Sequence, residues 1–349
     1  MMDSKHIISQ KESLLDALKR INDIKAEPLV LFAVDDDGTM RGTITDGDIR
    51  RALIKGISIS DDIASAMHRD FNFLRKGEND DVISLHRQRE MKMRLIPILD
   101  KDGCICEIIN LEKYRTKLPI DAVLMAGGKG ERLRPLTEKT PKPLIKVGDK
   151  CIIDYNIDRL ISYGLQHISV TINYLGEQIE GHFRDEREGV KIVTVREPQY
   201  LGTIGSVKFV KTFYNDIVLV MNSDLFTNID YEDFFLHFHQ HDADMSVASV
   251  PYVVKVPYGI FNLDGREIKG VMEKPTFSYY VNAGIYLIKK CCLDFIPENE
   301  FFNATDFMDK LIETHHKVIR YPISGYWIDI GQHDELARAK EMAKHMKGF

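Results

Sequence analysis

Apolar residues recur along the chain with two different periods, and the places where the period changes outline its elements. Leu14, Ala17, Leu18 and Ile21 fall at helical spacing, followed by an apolar strand over residues 29 to 34 and a polar turn, Asp35-Asp36-Asp37-Gly38. The pattern then repeats. Val82 and Leu85 open a helix, residues 95 to 99 form a strand, and Asp100-Lys101-Asp102-Gly103 restates the turn 65 positions after the first. Each copy is too small to bury its own apolar face, so the two are expected to pack into one domain. Lys117-Leu118-Pro119 interrupts the pattern, because proline cannot continue a helix and pushes the preceding residue into an extended conformation. The expected domains are therefore residues 1 to 118 and 119 to 349, joined by a short linker.

In the second domain residues 120 to 125 read as a buried parallel strand that empties into Gly127, Gly128 and Gly130. A helix from Ile152 to Leu160 closed by Gly164, a strand over 167 to 172, a helix over 176 to 183 and strands over 191 to 195 and 216 to 221 follow. Alternation of this kind predicts an α/β fold with a mostly parallel sheet covered by helices on both faces. Ligands then bind at the carboxyl ends of the strands, where the glycine loop sits. Leu263-Asp264-Gly265 reads as a hairpin turn, Asn282-Ala283-Gly284-Ile285-Tyr286 as the opening of a strand, and residues 333 to 347 as a helix rich in alanine and lysine.

Composition narrows the partners. The 349 residues are 44% hydrophobic and 29% charged, with a formal net charge of −6, which argues against nucleic acid as a partner. No apolar stretch approaches the ~20 residues of a membrane span and the first residues lack an apolar signal core, so a cytoplasmic protein is expected. The five cysteines, at 104, 106, 151, 291 and 292, lack zinc-site spacing and read as reduced thiols. His237, His239 and His241 read as a surface helix rather than a ligand set.

The glycine loop carries the candidate chemistry. Arg132 follows two residues after Gly130, and Thr140-Pro141-Lys142-Pro143 holds a lysine between two prolines, so two cations converge on a loop whose backbone can approach a phosphate. A Walker loop would need Ser or Thr where Gly130 stands, and a dinucleotide fingerprint would need glycine at Leu133. The string from Gly127 to Leu136, with Pro141-Lys142-Pro143-Leu144 after it, instead resembles the signature of sugar-1-phosphate nucleotidylyltransferases. One departure is Glu131, which stands where that family usually has threonine.

This resemblance extends over residues 120 to 340 and implies a Rossmann-like, GT-A-like fold and a reaction: a sugar 1-phosphate attacks the α-phosphorus of a nucleoside triphosphate and pyrophosphate leaves. Leu124, Ala126, Gly127, Gly128 and Gly130 would line the nucleotide, with Glu197 and Gly202 of E-P-Q-Y-L-G-T against the base. A carboxylate at Glu197 would suit the N1–H and N2 donors of guanine; helix capping by Thr203 is the competing reading of that segment. Asp224, after the strand ending Asn222-Ser223, and Asp329, in Trp327-Ile328-Asp329-Ile330-Gly331, would hold Mg²⁺, a hard cation preferring oxygen ligands. Arg132 and Lys142 would hold phosphates. Gly259, Glu273, Lys274 and Asn282 match the segments that bind the sugar and its phosphate. Nothing resembling an acyltransferase extension follows in this sequence, so a transferase alone is expected.

Residues 42 to 49, GTITDGDI, resemble the end of a cystathionine-β-synthase-type (CBS) motif. The resemblance implies a CBS pair binding an adenine nucleotide, with Thr45 at phosphate and Asp48 at ribose; Asn110 and Lys113 occupy the equivalent places in the second copy, so one intact site is expected at most. The alternative is a CBS pair kept as a dimerisation scaffold, and a homodimer or higher oligomer is expected either way. A CBS pair in front of such a transferase is similar to the glucosamine-1-phosphate guanylyltransferases of legionaminic acid biosynthesis, which would make GTP and glucosamine 1-phosphate the substrates. Mannose or heptose 1-phosphate, and UTP, dTTP or CTP, stay open, as does a nucleotide-sensing regulatory subunit without catalysis.

Overall fold

The computed structural model describes residues 4 to 24, 28 to 77, 81 to 114 and 116 to 345. The chain divides into two compact units, Met1–Thr116 and Lys117–Phe349.

The first unit is a structural duplication. One copy comprises β1 (Ile7–Ser9), α1 (Leu14–Asp23), β2 (Val30–Val34), β3 (Met40–Thr45) and α2 (Asp46–Ile54); the other comprises β4 (Leu74–Arg75), α3 (Val82–Glu90), β5 (Leu95–Leu99) and β6 (Ile105–Asn110). Each forms a three-stranded sheet in which the first pairing is parallel and the second antiparallel. The turns obey the same chemistry. Asp35 accepts from the backbone of Asp37 and Thr39, and Asp100 from that of Asp102 and Cys104, while Gly38 and Gly103 take φ of 81° and 83°. Thr39 and Cys104, equivalent residues, bridge to one another. Phe32 and Met40 of one copy share a core with Leu95, Leu99 and Ile105 of the other, so neither face is left to water.

The second unit is built on a seven-stranded sheet. In chain order its elements are β7 (Asp121–Ala126), the short hairpin β8 (Lys146–Val147) and β9 (Lys150–Cys151), α4 (Ile152–Ser162), β10 (Ile168–Ile172), α5 (Gly176–His182) and β11 (Ile192–Arg196). There follow β12 (Ile217–Asn222), β13 (Leu225–Thr227), α6 (Tyr231–Gln240), β14 (Met245–Lys255), β15 (Ile260–Asp264) and β16 (Glu267–Met272). The chain ends with β17 (Thr276–Lys289), α7 (Ala304–Glu313), β18 (Val318–Pro322), β19 (Trp327–Asp329) and α8 (His333–His345). The sheet order is β11-β10-β7-β12-β17-β14-β18, parallel except where β17 runs against both neighbours. Val123, Val218, Val220 and Ile288 bury one face with Phe307 and Leu311 of α7, as the continuous apolar runs of β7 and β12 require.

One expectation needs correction in detail. Asn282 lies inside the long strand β17 rather than at its opening, because Thr276 to Val281 already pair with β14. The tail helix is described to His345, and Lys347 lies outside the described residues. All five cysteines are free thiols, and among the described residues no helix is long and apolar enough to cross a membrane.

Candidate active site

The carboxyl ends of β7 and β12 deliver the charged residues. β13 pairs antiparallel with β19, setting Leu225 against Asp329, and the Ile330 amide donates to the Asp224 carbonyl at 3.2 Å. A register fixed by backbone bonds thus brings together two aspartates far apart in sequence. Lys142, held on a short turn behind Pro141, forms an ion pair with Asp224 and lies 3.9 Å from Asp329 Oδ1. Gly130 shapes this arrangement. With φ of 61°, its Cα packs so closely that an added Cβ would lie 3.1 Å from Lys142 Cβ, and the Thr137 hydroxyl pins the Gly130 carbonyl at 2.9 Å. Arg132 closes the group: a Cβ added to Gly331 would lie 3.8 Å from its guanidinium and 3.9 Å from the Asp329 carboxylate.

The electrostatics of this cluster are unbalanced. Asp224 Oδ1 is buried and has no hydrogen-bond partner. Desolvation and then the neighbouring Asp224 charge raise the pKa of Asp329, and the Lys142 and Arg132 cations do not offset them, although half of the Asp329 side chain reaches solvent. An orphaned carboxylate oxygen beside a second carboxylate that resists ionisation suits a further hard cation. The donor set therefore fits Mg²⁺.

The glycine loop also touches Glu197. A Cβ on Gly127 would lie 2.0 Å from Glu197 Oε1, so only glycine lets this carboxylate tuck beneath the loop. The Leu201 amide donates to Oε2 at 3.2 Å. Glu197 is only 4% exposed, and burial pushes its pKa up to about 7. It faces a cavity of about 510 Å³ lined by Asn173, Arg196, Pro198 and Phe209. Leu124 and Ala126 are buried in β7, while a Cβ added to Gly128 would meet nothing within 4 Å, which leaves room above the loop. Gly202 has a reason of its own to be glycine. Its φ is 80° and an added Cβ would strike the Phe302 carbonyl at 2.6 Å, so the residue fits against neighbouring backbone. Thr203 Oγ1 accepts from the Ala304 amide at 2.9 Å, so it caps α7 from a distant loop.

A second cavity, about 330 Å³, is lined by Asp329, Asn282, Asn222, Asn303, Thr305 and Trp327 among others. Asn282 is already engaged: its Oδ1 accepts from the Gly284 amide and its Nδ2 donates to the Tyr286 hydroxyl, both at 2.9 Å. Trp327 is fixed by its indole donating to the Ala283 carbonyl. Gly259, Glu273 and Lys274 are not among the lining residues. Gly259 and Glu273 do meet, an added Cβ on Gly259 lying 2.9 Å from Glu273 Oε2, and Lys274 takes φ of 43° in the turn before Pro275. Sequence reasoning missed Asn222, Asn303 and Trp327 as cavity residues, although Asn222 and Trp327 lie within segments singled out for their aspartates.

Two other groups resolve into structural networks. Cys151, Asp154 and His182 come together within reach of one ion, but the Arg187 guanidinium already lies 2.8 Å from Asp154 Oδ1 and 3.1 Å from His182 Nε2. In the first unit, Thr45 and Asp48 form a capping box at the start of α2, and Asp48 also pairs with Arg51 at 2.6 Å.

A nucleotidyl transferase profile matches residues 121–345, most of the second unit, and a CBS domain profile matches residues 1–55. The chain belongs to the nucleotidyl transferase family. A Sulfolobus acidocaldarius protein, provisionally named a mannose-1-phosphate guanyltransferase, is 32% identical over 238 residues, 66% of this chain and 66% of that relative. The mannose-1-phosphate guanylyltransferase catalytic subunit beta of Xenopus tropicalis is 28% identical over 227 residues, 60% of this chain and 61% of the relative. The matches thus span about two thirds or less of these relatives' own length. Among solved structures, HddC from Yersinia pseudotuberculosis aligns with a TM-score of 0.51 and 25% identity, covering 64% of this chain and 99% of that one.

Proposed function

We propose that the chain transfers a nucleoside monophosphate from a nucleoside triphosphate to a sugar 1-phosphate. The observation that carries this reading is the convergence of Lys142, Asp224, Asp329 and Arg132 beside a glycine loop, with one cavity at Glu197 and another at Asp329. A phosphate oxygen of the sugar 1-phosphate attacks the α-phosphorus, the bond from that phosphorus to the bridging oxygen breaks, and pyrophosphate leaves. No covalent nucleophile is required, because positioning and charge neutralisation carry phosphoryl-type chemistry. Lys142 neutralises the α-phosphate, Arg132 the departing β- and γ-phosphates, and the open space over Gly128 admits the chain of phosphates. Asp224 and Asp329 would hold Mg²⁺, which when bound supplies positive charge to the phosphate oxygens.

Glu197 is the base reader in this proposal, its carboxylate accepting from N1–H and N2 of guanine, and the guanyl-transferring relatives support GTP as donor. Glucosamine 1-phosphate is the acceptor favoured by the order of domains, in the service of nonulosonic acid synthesis such as that of legionaminic acid; the relatives' names favour mannose 1-phosphate as the second reading. An adenine nucleotide at the CBS unit would have to share Thr45 and Asp48 with the helix cap they form.

The test is pyrophosphate release from GTP, UTP, dTTP, CTP and ATP against glucosamine, N-acetylglucosamine, mannose and glucose 1-phosphates, with and without Mg²⁺. Turnover confined to GTP with one acceptor, abolished by chelation, is expected. Silence across the whole panel would overturn the catalytic reading, and full turnover in chelator would remove the metal from it.

A further inference from the structure

The parallel strands β11, β10 and β7 lie side by side, and their carboxyl ends stop in one register: Arg196 is opposite Ile172, and Ile172 is opposite Ala126. The next row is therefore Glu197, Asn173 and Gly127. Backbone bonds carry the ladder into it, the Glu197 amide donating to the Ile172 carbonyl at 3.1 Å and the Tyr174 amide to the Gly127 carbonyl at 3.4 Å. Two side chains converge where Gly127 has none. A Cβ added there would lie 2.0 Å from Glu197 Oε1 and 3.3 Å from Asn173 Cβ, and both residues line the cavity of about 510 Å³.

The two side chains offer complementary chemistry. An ionised carboxylate only accepts hydrogen bonds, whereas a carboxamide also carries two N–H donors. Asn173 is almost uncommitted: its Nδ2 reaches the Glu197 carbonyl at 3.5 Å, the outer limit of a hydrogen bond, and its second N–H and its Oδ1 meet no other protein group among the described residues. The pairing edge of guanine presents N2–H and N1–H as donors and O6 as an acceptor. Glu197 as base reader, the reading on which this inference rests, satisfies the two donors and leaves O6 without a partner, and a buried carbonyl oxygen left unpaired is costly. Of the other residues lining the cavity, Pro198 and Phe209 carry no side-chain donor, and Arg196 is held by Glu177 and Glu180 of α5 at 3.0 and 3.2 Å. We infer that Asn173 is a specificity-determining residue for the base, its amide donating to O6 of guanine beside the Glu197 carboxylate. The pair then reads all three positions of the edge. Adenine and cytosine bring an amino group where guanine has O6 and a bare nitrogen where it has N1–H, so they offer the pair the reverse pattern.

The test reads binding, so it is decided apart from catalysis. Titration calorimetry of the full chain with Mg²⁺ and no acceptor gives Kd for GTP, ATP, ITP, which lacks the N2 amino group, and 6-thio-GTP, whose sulfur accepts hydrogen bonds poorly. Wild type is compared with Asn173→Ala and Asn173→Asp, each checked for folding by thermal unfolding. Asn173→Ala is expected to weaken GTP and ITP alike, by roughly tenfold, and to change 6-thio-GTP by no more than roughly twofold; Asn173→Asp, which sets an acceptor against O6, should weaken GTP about a hundredfold. A folded Asn173→Ala that binds GTP like wild type, or that loses as much affinity for 6-thio-GTP as for GTP, would overturn the inference and leave the reaction standing. A wild type that binds ATP as tightly as GTP would overturn it together with the base-reading role of Glu197. The expected pattern without pyrophosphate release would uphold it and remove only the catalytic reading. If one variant fails to fold, the other decides.

Discussion

Two clusters of the second unit in which carboxylates meet cations, those at Asp154 and Asp224, have their hydrogen bonding in opposite states. Around Asp154 every acceptor is used: Oδ1 takes His182 and Arg187 at 2.7 and 2.8 Å, and Oδ2 takes the Cys151 amide at 3.1 Å. Burial alone would raise this carboxyl, yet the His182 bond and the Arg187 charge outweigh it and hold the pKa low. Around Asp224 one oxygen is buried without a partner, and Asp329 nearby is shifted upward. Both clusters are acidic groups beside positive ones, and both would pass a search by residue type. What separates them is satisfaction. A completed network stabilises the fold that contains it, whereas an incomplete one is kept because something else completes it.

Exchanging single groups should therefore have opposite consequences. Asp224→Asn is expected to lower kcat by ~10²–10³ while leaving the thermal midpoint little changed, since relief of the repulsion with Asp329 offsets the lost charge of the Lys142 ion pair. Turnover near that of wild type would end the catalytic assignment of the cluster. Asp154→Ala should do the reverse. It leaves His182 and Arg187 without their shared acceptor, at a cost of ~3 kcal/mol or roughly 6–12 °C in a unit of this size, while turnover per folded molecule holds. Thermal unfolding paired with pyrophosphate release measures both variants, and a stable, inactive Asp154→Ala would show that the comparison misassigns the two clusters.

The sequence made some of this legible because local chemistry determines it. The β7 strand, the glycine loop after it and the turns at Asp35 and Asp100 follow from apolar runs, glycine and side chain-to-backbone bonds over two to four residues. The cavity walls were less legible because they are assembled from afar. Gly202 is shaped by the Phe302 carbonyl and Thr203 by the Ala304 amide, contacts that no local window contains. The Asp154 network escaped for the same reason, since His182 and Arg187 reach it from a later helix and loop. Gly259, Glu273 and Lys274 show the converse: the order of their segments is readable, but their position on an extended arm depends on how far β14 and β17 stay paired.

Glu197 lies between the two extremes, and its expected effects are graded with pH rather than all-or-none. One oxygen is satisfied by the Leu201 amide and the other presses against Gly127, with no cation to offset burial, so its pKa rises from 4.5 to about 7. Because the folded-state value is the higher one, the folded protein holds this proton more tightly than the unfolded chain. Stability from this group is full below pH ~4.5 and is lost as pH rises toward 7, by about 1.4 kcal/mol per pH unit in that window. Guanine needs the opposite state, since only the ionised carboxylate can accept from both N1–H and N2. The KM for GTP should thus be flat above pH 7 and rise about tenfold for each unit below it, whereas the KM for the sugar 1-phosphate should not follow. Glu197→Gln removes the titration, so its KM for GTP should be raised and independent of pH, and its stability should exceed that of wild type by a margin that grows with pH until about 7. Initial rates and thermal midpoints on both sides of pH 7 decide the matter. A wild-type KM for GTP that does not change across that range would mean the buried carboxylate serves the loop alone, placing Glu197 with the satisfied network at Asp154.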